Sequence, residues 1–133
     1  MKSKVLVALL VTAGLLVFSN LVFAHHAAAG LFSPDVESTV SGTVKQWLFV
    51  NPHPALIIDI KNDAGNVETW RVEFAAPRSL TSNFGWNRNT MKPGDQVKII
   101  GYPYFGNKKT MFAVRVTIGD GKEYVVREPR GRS

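Results

Sequence analysis

The chain has 133 residues, with 16 lysines and arginines against 10 acids, a formal net charge of +6 and no cysteine. Disulfide staples, thiolate metal sites and redox thiols are therefore excluded together, and the fold must rest on core packing. The basic residues are scattered among acids with no dense block, so nucleic acid is not an expected partner; the charge bears on solubility and weak anion attraction rather than on fold.

Lys2 and Lys4 precede an uncharged apolar run at residues 5–18, followed by the polar Ser19 and Asn20 and then by Val22, Phe23 and Ala24. That is the layout of a secretory signal peptide cut after Ala24. The alternative is an uncleaved anchor, since about twenty uncharged residues can just span a bilayer. Cleavage removes two lysines and no acid, which lowers the net charge from +6 to +4. The expected organisation is a signal peptide at residues 1–24, an N-terminal arm at 25–38, one domain at 39–126 and a basic tail at 127–133. The expected location is periplasmic or secreted, or, with the leader retained, the inner membrane facing the periplasm. About one hundred residues are enough for a single core.

From Thr39 the pattern acquires a period of two. Val40, Val44, Leu48 and Val50 share one face; Ser41, Thr43 and Lys45 share the other, which ends in Trp47 and Phe49. This predicts a long half-buried strand with an aromatic second face. The "NPHP" of residues 51–54 ends it, because two prolines remove donors and fix φ. "ALIIDIK" predicts a second strand with Leu56, Ile58 and Ile60 inward, and "NDAGN" a hairpin turn. "VETWRVEF" places Trp70, Val72 and Phe74 inward and Thr69, Arg71 and Glu73 outward. "APRSLTSNFGW" lacks alternation, and its early proline and late glycine predict a short helix. After the turn "KPGD" come the strand "QVKIIGY", the turn "FGNKK", the strand "TMFAVRVTI" with Phe112, Val114, Val116 and Ile118 on one face, and a last short strand, "KEYVV". Three strands, one short helix and two further strands with a terminal addition predict an all-β fold. The expected form is a small OB-like Greek-key barrel of five to six strands, with the helix after the third.

Few residues can carry chemistry. The only histidines are His25, His26 and His53. No G-x-S-x-G elbow and no glycine-rich phosphate loop is present. Asp59 and Glu73 form a formal carboxylate pair, but outward strand positions are ordinarily just solvated. Cleavage after Ala24 would make His25 the first residue, with an α-amine that titrates near neutrality and so can bind metal. Amine and imidazole of one residue close a chelate ring, and a second imidazole completes a T-shaped set of three nitrogens, the arrangement Cu(II) prefers. This resembles the histidine brace of secreted copper proteins, including lytic polysaccharide monooxygenases. The second imidazole is expected from His53, stiffened by Pro52 and Pro54 in the first interstrand loop, a usual binding loop of OB folds. His26 would assist or coordinate separately. Copper leads and zinc is the alternative; with only Met91 and Met111 after the leader, soft-ligand Cu(I) trafficking is not the expectation.

A second candidate surface is aromatic. Trp47, Phe49 and Asn51 would lie beside the His53 loop, where an exposed ring pair can stack a ligand or dock a partner, with Trp86, Tyr102, Tyr104 and Phe105 extending it. Alternatively the arm, through Leu31 and Phe32, would pack over Trp47 and Phe49.

Several motifs in order resemble one family: "AHH" at the leader junction, "SGTVKQW" with "NPH", "GNVETWRVEF", "GW" at 85–86, "KPGDQVKIIGY" and "GDGKEY". Together they make the chain similar to the small exported bacterial proteins of domain-of-unknown-function family 6152. The resemblance implies export and a small β-barrel, and no established activity. The combined expectation is an exported binding or accessory protein rather than an enzyme, with copper at His25, His26 and His53. The alternative is a metal-free module, tethered by an uncleaved leader, that docks an envelope or membrane protein through the aromatic face. A copper oxidase or monooxygenase is a third reading, for which no substrate surface is evident. Membrane contact is expected only if the leader is retained.

Overall fold

The computed structural model describes Phe32, residues 36–119 and residues 121–127, without the side chains of Asn107 and Lys108. The predicted leader, His25, His26 and most of the arm and tail lie outside the described residues. Six strands and one helix follow in the order β1 (Ser38–Leu48), β2 (Ala55–Lys61), β3 (Val67–Glu73), α1 (Pro77–Phe84), β4 (Gln96–Tyr104), β5 (Asn107–Ile118) and β6 (Lys122–Val125).

The strands hydrogen-bond in the order β3-β2-β1-β4-β5-β6, and β3 also pairs with β5. That last pairing is parallel, through Arg71↔Thr110, Val72↔Met111 and Glu73↔Phe112. It closes β1 to β5 into a barrel and leaves β6 as an extra strand beside β5. Long β1 serves both walls: Ser38 to Thr43 pair with β4, and Thr43 to Leu48 with β2. This is the small all-β barrel that the element order predicts.

The core contains Val44, Trp47, Leu56, Ile58, Val72, Phe74, Leu80, Trp86, Val97, Ile99, Met111, Ala113 and Val116. Helix α1 follows its sequence signals. Pro77 stands in its first turn, Gly85 ends it at φ 71°, and Leu80 is its buried residue. Gly85 N–H bonds Thr81 O at 2.8 Å and Trp86 N–H bonds Leu80 O at 3.3 Å, so a left-handed glycine satisfies the last carbonyls. The turn delivers Leu80 and Trp86 together into the core.

Two strands depart from simple alternation. In β1 the register shifts between Val44 and Gln46. A bulge adds one residue to one strand, and every side chain beyond it changes face. Val44 and Trp47, three apart, are therefore both buried, while Leu48 is only half-buried and Val50 is exposed. The expectation that Trp47 faces away from the core is overturned by this one extra residue. In β5, Gly101 pairs with Ala113 but Ile100 pairs with Arg115, leaving Val114 as the extra residue. The single face expected for Phe112, Val114, Val116 and Ile118 is thereby divided. Met111, Ala113 and Val116 enter the main core, and Phe112 and Val114 join a second cluster. Gly101 permits the close pairing there, since a Cβ at that position would run into the Phe112 carbonyl.

The second cluster consists of Phe32, Tyr102, Phe112 and Val114, with Ala75 and Tyr104 packed against it. Phe32 is 3% exposed, bridges to Tyr104, and stacks on Phe112 at 5.4 Å between centroids. The Arg127 guanidinium lies over the Phe32 and Phe112 rings at 5.4 and 4.7 Å. Val114 O accepts from Val126 N–H and Arg127 N–H, which holds this end of the chain at the bulge. Phe32 thus packs on β4 and β5 and not, as expected, over Trp47 and Phe49. All described residues belong to one compact unit, Phe32–Ser133.

Candidate functional site

The loop between β1 and β2 is pinned at its base. Pro54 is buried, whereas Asn51, Pro52 and His53 are exposed, and the Asn51–Pro52 peptide is cis. Phe74 N–H donates to Pro54 O at 3.0 Å, and His53 Nδ1 lies 3.1 Å from Phe74 O. A carbonyl only accepts, so Nδ1 carries the proton, and in neutral imidazole the lone pair is on Nε2. An imidazole oriented through one nitrogen by a backbone carbonyl, with the other presented outward, is the outer arrangement typical of metal-ligating histidines.

Beside this loop, at the end of β3, lies Glu73. Its Oε2 accepts from the Tyr104 hydroxyl at 2.6 Å and its Oε1 from Arg71 Nε at 2.9 Å. Burial raises its carboxyl pKa, but the hydrogen bonds from Tyr104 and Arg71 and the charges of Arg71 and His53 outweigh burial and hold it below the usual carboxylate value. Burial and the same hydrogen bond push the Tyr104 phenol well above its ordinary range, so it is a permanent donor at neutral pH. Tyr104 also packs edge-on against Phe32, with ring centroids 5.6 Å apart. Phe32, Tyr104 and Glu73 thus form one chain of contacts across β4 and β3, and Glu73 pairs with Ala55, which directly follows Pro54.

The remaining candidates divide clearly. Trp47 belongs to the core, with its Nε1 donating to Asn87 O at 2.9 Å and its ring against Phe49, Phe74 and Trp86. It is not the exposed stacking surface expected of it. Phe49 is half-buried and Asn51 is exposed. Trp86 and Tyr102 are buried, Tyr104 is half-buried, and Phe105 alone of that group is exposed. Trp86 Nε1 has no hydrogen-bond partner; it lies among the rings of Trp47, Phe74 and Tyr124, whose faces are weak acceptors. Asp59 accepts from Thr69 Oγ1 at 2.7 Å and pairs with Lys45 at 3.6 Å. Asp59 is opposite Thr69 and Ala55 opposite Glu73, so the two carboxylates are four residues apart along the strands, about 13 Å. That is too far for a concerted carboxylate pair, which needs at most about 9.5 Å.

Sequence reading found His53 through its flanking prolines but missed the Glu73–Tyr104 pair. These residues are 31 positions apart and meet only because β3 closes on β5. Among the described residues no three His, Asp, Glu or Cys side chains converge as a metal site. Nor, among them, is any helix long and apolar enough to cross a membrane.

No curated protein matches the chain. Residues 13–112, a span that takes in His25, His26 and His53, match the family of unknown function DUF6152. The chain belongs to that family.

Proposed function

We propose that this chain is an exported accessory protein that binds copper through the His25 amine and imidazole and the His53 imidazole, with His26 assisting. The observation that carries the reading is the His53 contact: Nδ1 spent on Phe74 O at 3.1 Å, on an exposed loop whose base is fixed by Phe74 N–H to Pro54 O. Reach supports it. His25 is seven residues before Phe32, so the intervening chain can extend at most about 25 Å. Phe32 is in the same cluster as Ala75, the residue after the one that holds His53. Three nitrogens favour Cu(II), with zinc second.

The metal-free docking module has less to work with, since Trp47, the centre of its aromatic face, is 9% exposed. Mass spectrometry of the exported protein comes first and is expected to give a chain beginning at His25. Electron paramagnetic resonance of its Cu(II) complex is then compared with that of His53→Ala. Loss of one nitrogen from the coordination set supports the reading; an unchanged spectrum removes His53 from it.

A further inference from the structure

We propose that the opening where β1 parts from β2 is a binding site for a neutral polyhydroxy ligand the size of a sugar. The site shares no residue with the copper reading and stands if no metal binds.

The opening is a consequence of the topology. Strand β1 pairs with β4 from Ser38 to Thr43 and with β2 only from Thr43 onward, while β2 stays with β3 as far as Lys61↔Val67. On the N-terminal side of Thr43 the two strands therefore diverge. Val44 N–H bonds Asp95 O and Val44 O accepts from Gly94 N–H, both at 2.8 Å, so the main chain of Val44 turns toward β4. Main-chain groups alternate along a strand, and those of Thr43 and Ser41 turn toward β2. Asn62 N–H bonds Asn66 O across the β2–β3 turn, so by the same alternation the main chain of Lys61 turns toward β1. Thr43 meets Asp59 as its partner, but Ser41 and Lys61, the next such positions, do not pair and border the gap. Gly42 occupies the fork, where a Cβ would come within 2.6 Å of Asp59 O. The resulting pocket has a volume of about 460 Å³, within the ordinary range of small-molecule sites.

Outward side chains complete it. Thr43 is opposite Gln96 on one side and Asp59 on the other, and Asp59 is opposite Thr69, so one polar row crosses four strands. Its internal bonds leave capacity to spare. Gln96 Nε2 donates to Thr43 Oγ1 at 2.9 Å, and the Thr43 proton is left to donate in turn. Thr69 Oγ1 at 2.7 Å and Lys45 Nζ at 3.6 Å both approach Asp59 Oδ1, which leaves Oδ2 to accept. Ser41 adds a hydroxyl and Lys61 an ammonium. Val67, 62% exposed, and Ile60 add apolar surface. Donors and acceptors are thus mixed in one small space, and the Asp59 carboxylate offsets the Lys61 charge. A sugar hydroxyl both donates and accepts, and sugar C–H faces are apolar. A neutral polyol therefore matches the whole lining, whereas an anion meets Asp59 and a cation meets Lys61.

The test is a nuclear magnetic resonance titration of the exported protein, without metal, against neutral sugars: glucose, galactose, mannose, N-acetylglucosamine, maltose and cellobiose. Sodium phosphate is the charged probe. At least one sugar should shift the amide signals of Ser41, Gly42, Lys61 and Gln96 in a saturable way, and phosphate should not. Asp59→Asn keeps an oxygen for Thr69 and so retains the fold; it should weaken that sugar by about tenfold or more, the loss expected of a charge-assisted hydrogen bond. Thr43→Val should weaken it by about fivefold. Glu123→Gln, on β6 and outside the pocket, should leave it unchanged. The absence of a saturable shift with every sugar would overturn the proposal, as would shifts confined to residues outside the pocket. Phosphate binding there more tightly than any sugar would overturn it too, as would an Asp59→Asn protein that binds the sugar as tightly as the wild type.

Discussion

Replacing Phe32 by alanine tests whether the segment before β1 is anchored as described. Phe32 is 3% exposed and touches Tyr102, Tyr104 and Phe112, with the Arg127 guanidinium 5.4 Å from its centroid. Full burial of a phenylalanine side chain is worth about 1.5–3 kcal/mol, and the cation–π contact adds about 0.5–1 kcal/mol. Core Phe→Ala changes reach about 3–5 kcal/mol when a cavity remains. Here Tyr104 and Arg127 border the site from the partly exposed side and can close over the gap, so the lower end applies, about 2 kcal/mol. With a urea m-value of about 1.5 kcal/mol/M, the unfolding midpoint should fall by about 1.3 M. Phe105→Ala is the control: that ring is 63% exposed, and its loss should cost under about 0.5 kcal/mol. Urea titrations of both variants followed by tryptophan fluorescence decide the matter. If Phe32→Ala and Phe105→Ala shift the midpoint equally, Phe32 is not an anchor and the reach argument for His25 loses its origin.

Trp47→Ala should destabilise by about 3–5 kcal/mol, because its ring and Nε1 are both engaged in the core; a change under about 1 kcal/mol in the same titration would return Trp47 to the surface. Gly101→Ala should cost about 1–3 kcal/mol from forced backbone separation, since its Cβ meets the Phe112 carbonyl, and a neutral result by thermal melting would contradict the close β4–β5 pairing. The Glu73 carboxyl is depressed in the folded state, so its stabilising contribution is present above the ordinary carboxylate value and is lost as pH falls through the folded one. Glu73→Gln should therefore flatten the acid limb of the stability profile below about pH 4.3, and an unchanged limb would mean the Tyr104 and Arg71 contacts do not persist in solution.

How much was legible in the sequence follows from where the chain keeps its period. Strands β2 and β3 have no bulge between them; of their inward sets, Leu56, Ile58, Val72 and Phe74 are buried as alternation requires, and Ile60 and Trp70 are partly buried against the core. The helix was legible because proline and glycine act locally at its two ends. Strands β1 and β5 each carry an extra residue, and an inserted residue among "TVKQW" or "FAVRV" leaves no local mark. The face of everything beyond it was therefore inverted, Trp47 above all. His53 was visible because prolines announce a rigid loop. Glu73 and Tyr104 were not, since outward strand residues look alike until barrel closure decides which of them meet.

The central claim is that the first residue of the mature chain is a ligand. It is tested most directly by comparing Cu(II) affinity of the protein beginning at His25 with that of the same protein carrying one extra residue before it. The extension keeps every side chain and every described contact, but replaces the free amine of His25 by an amide. The account predicts a loss of affinity of at least about a hundredfold, the order expected when a chelate ring worth about 2.7 kcal/mol is broken. Equal affinities for the two proteins would contradict it.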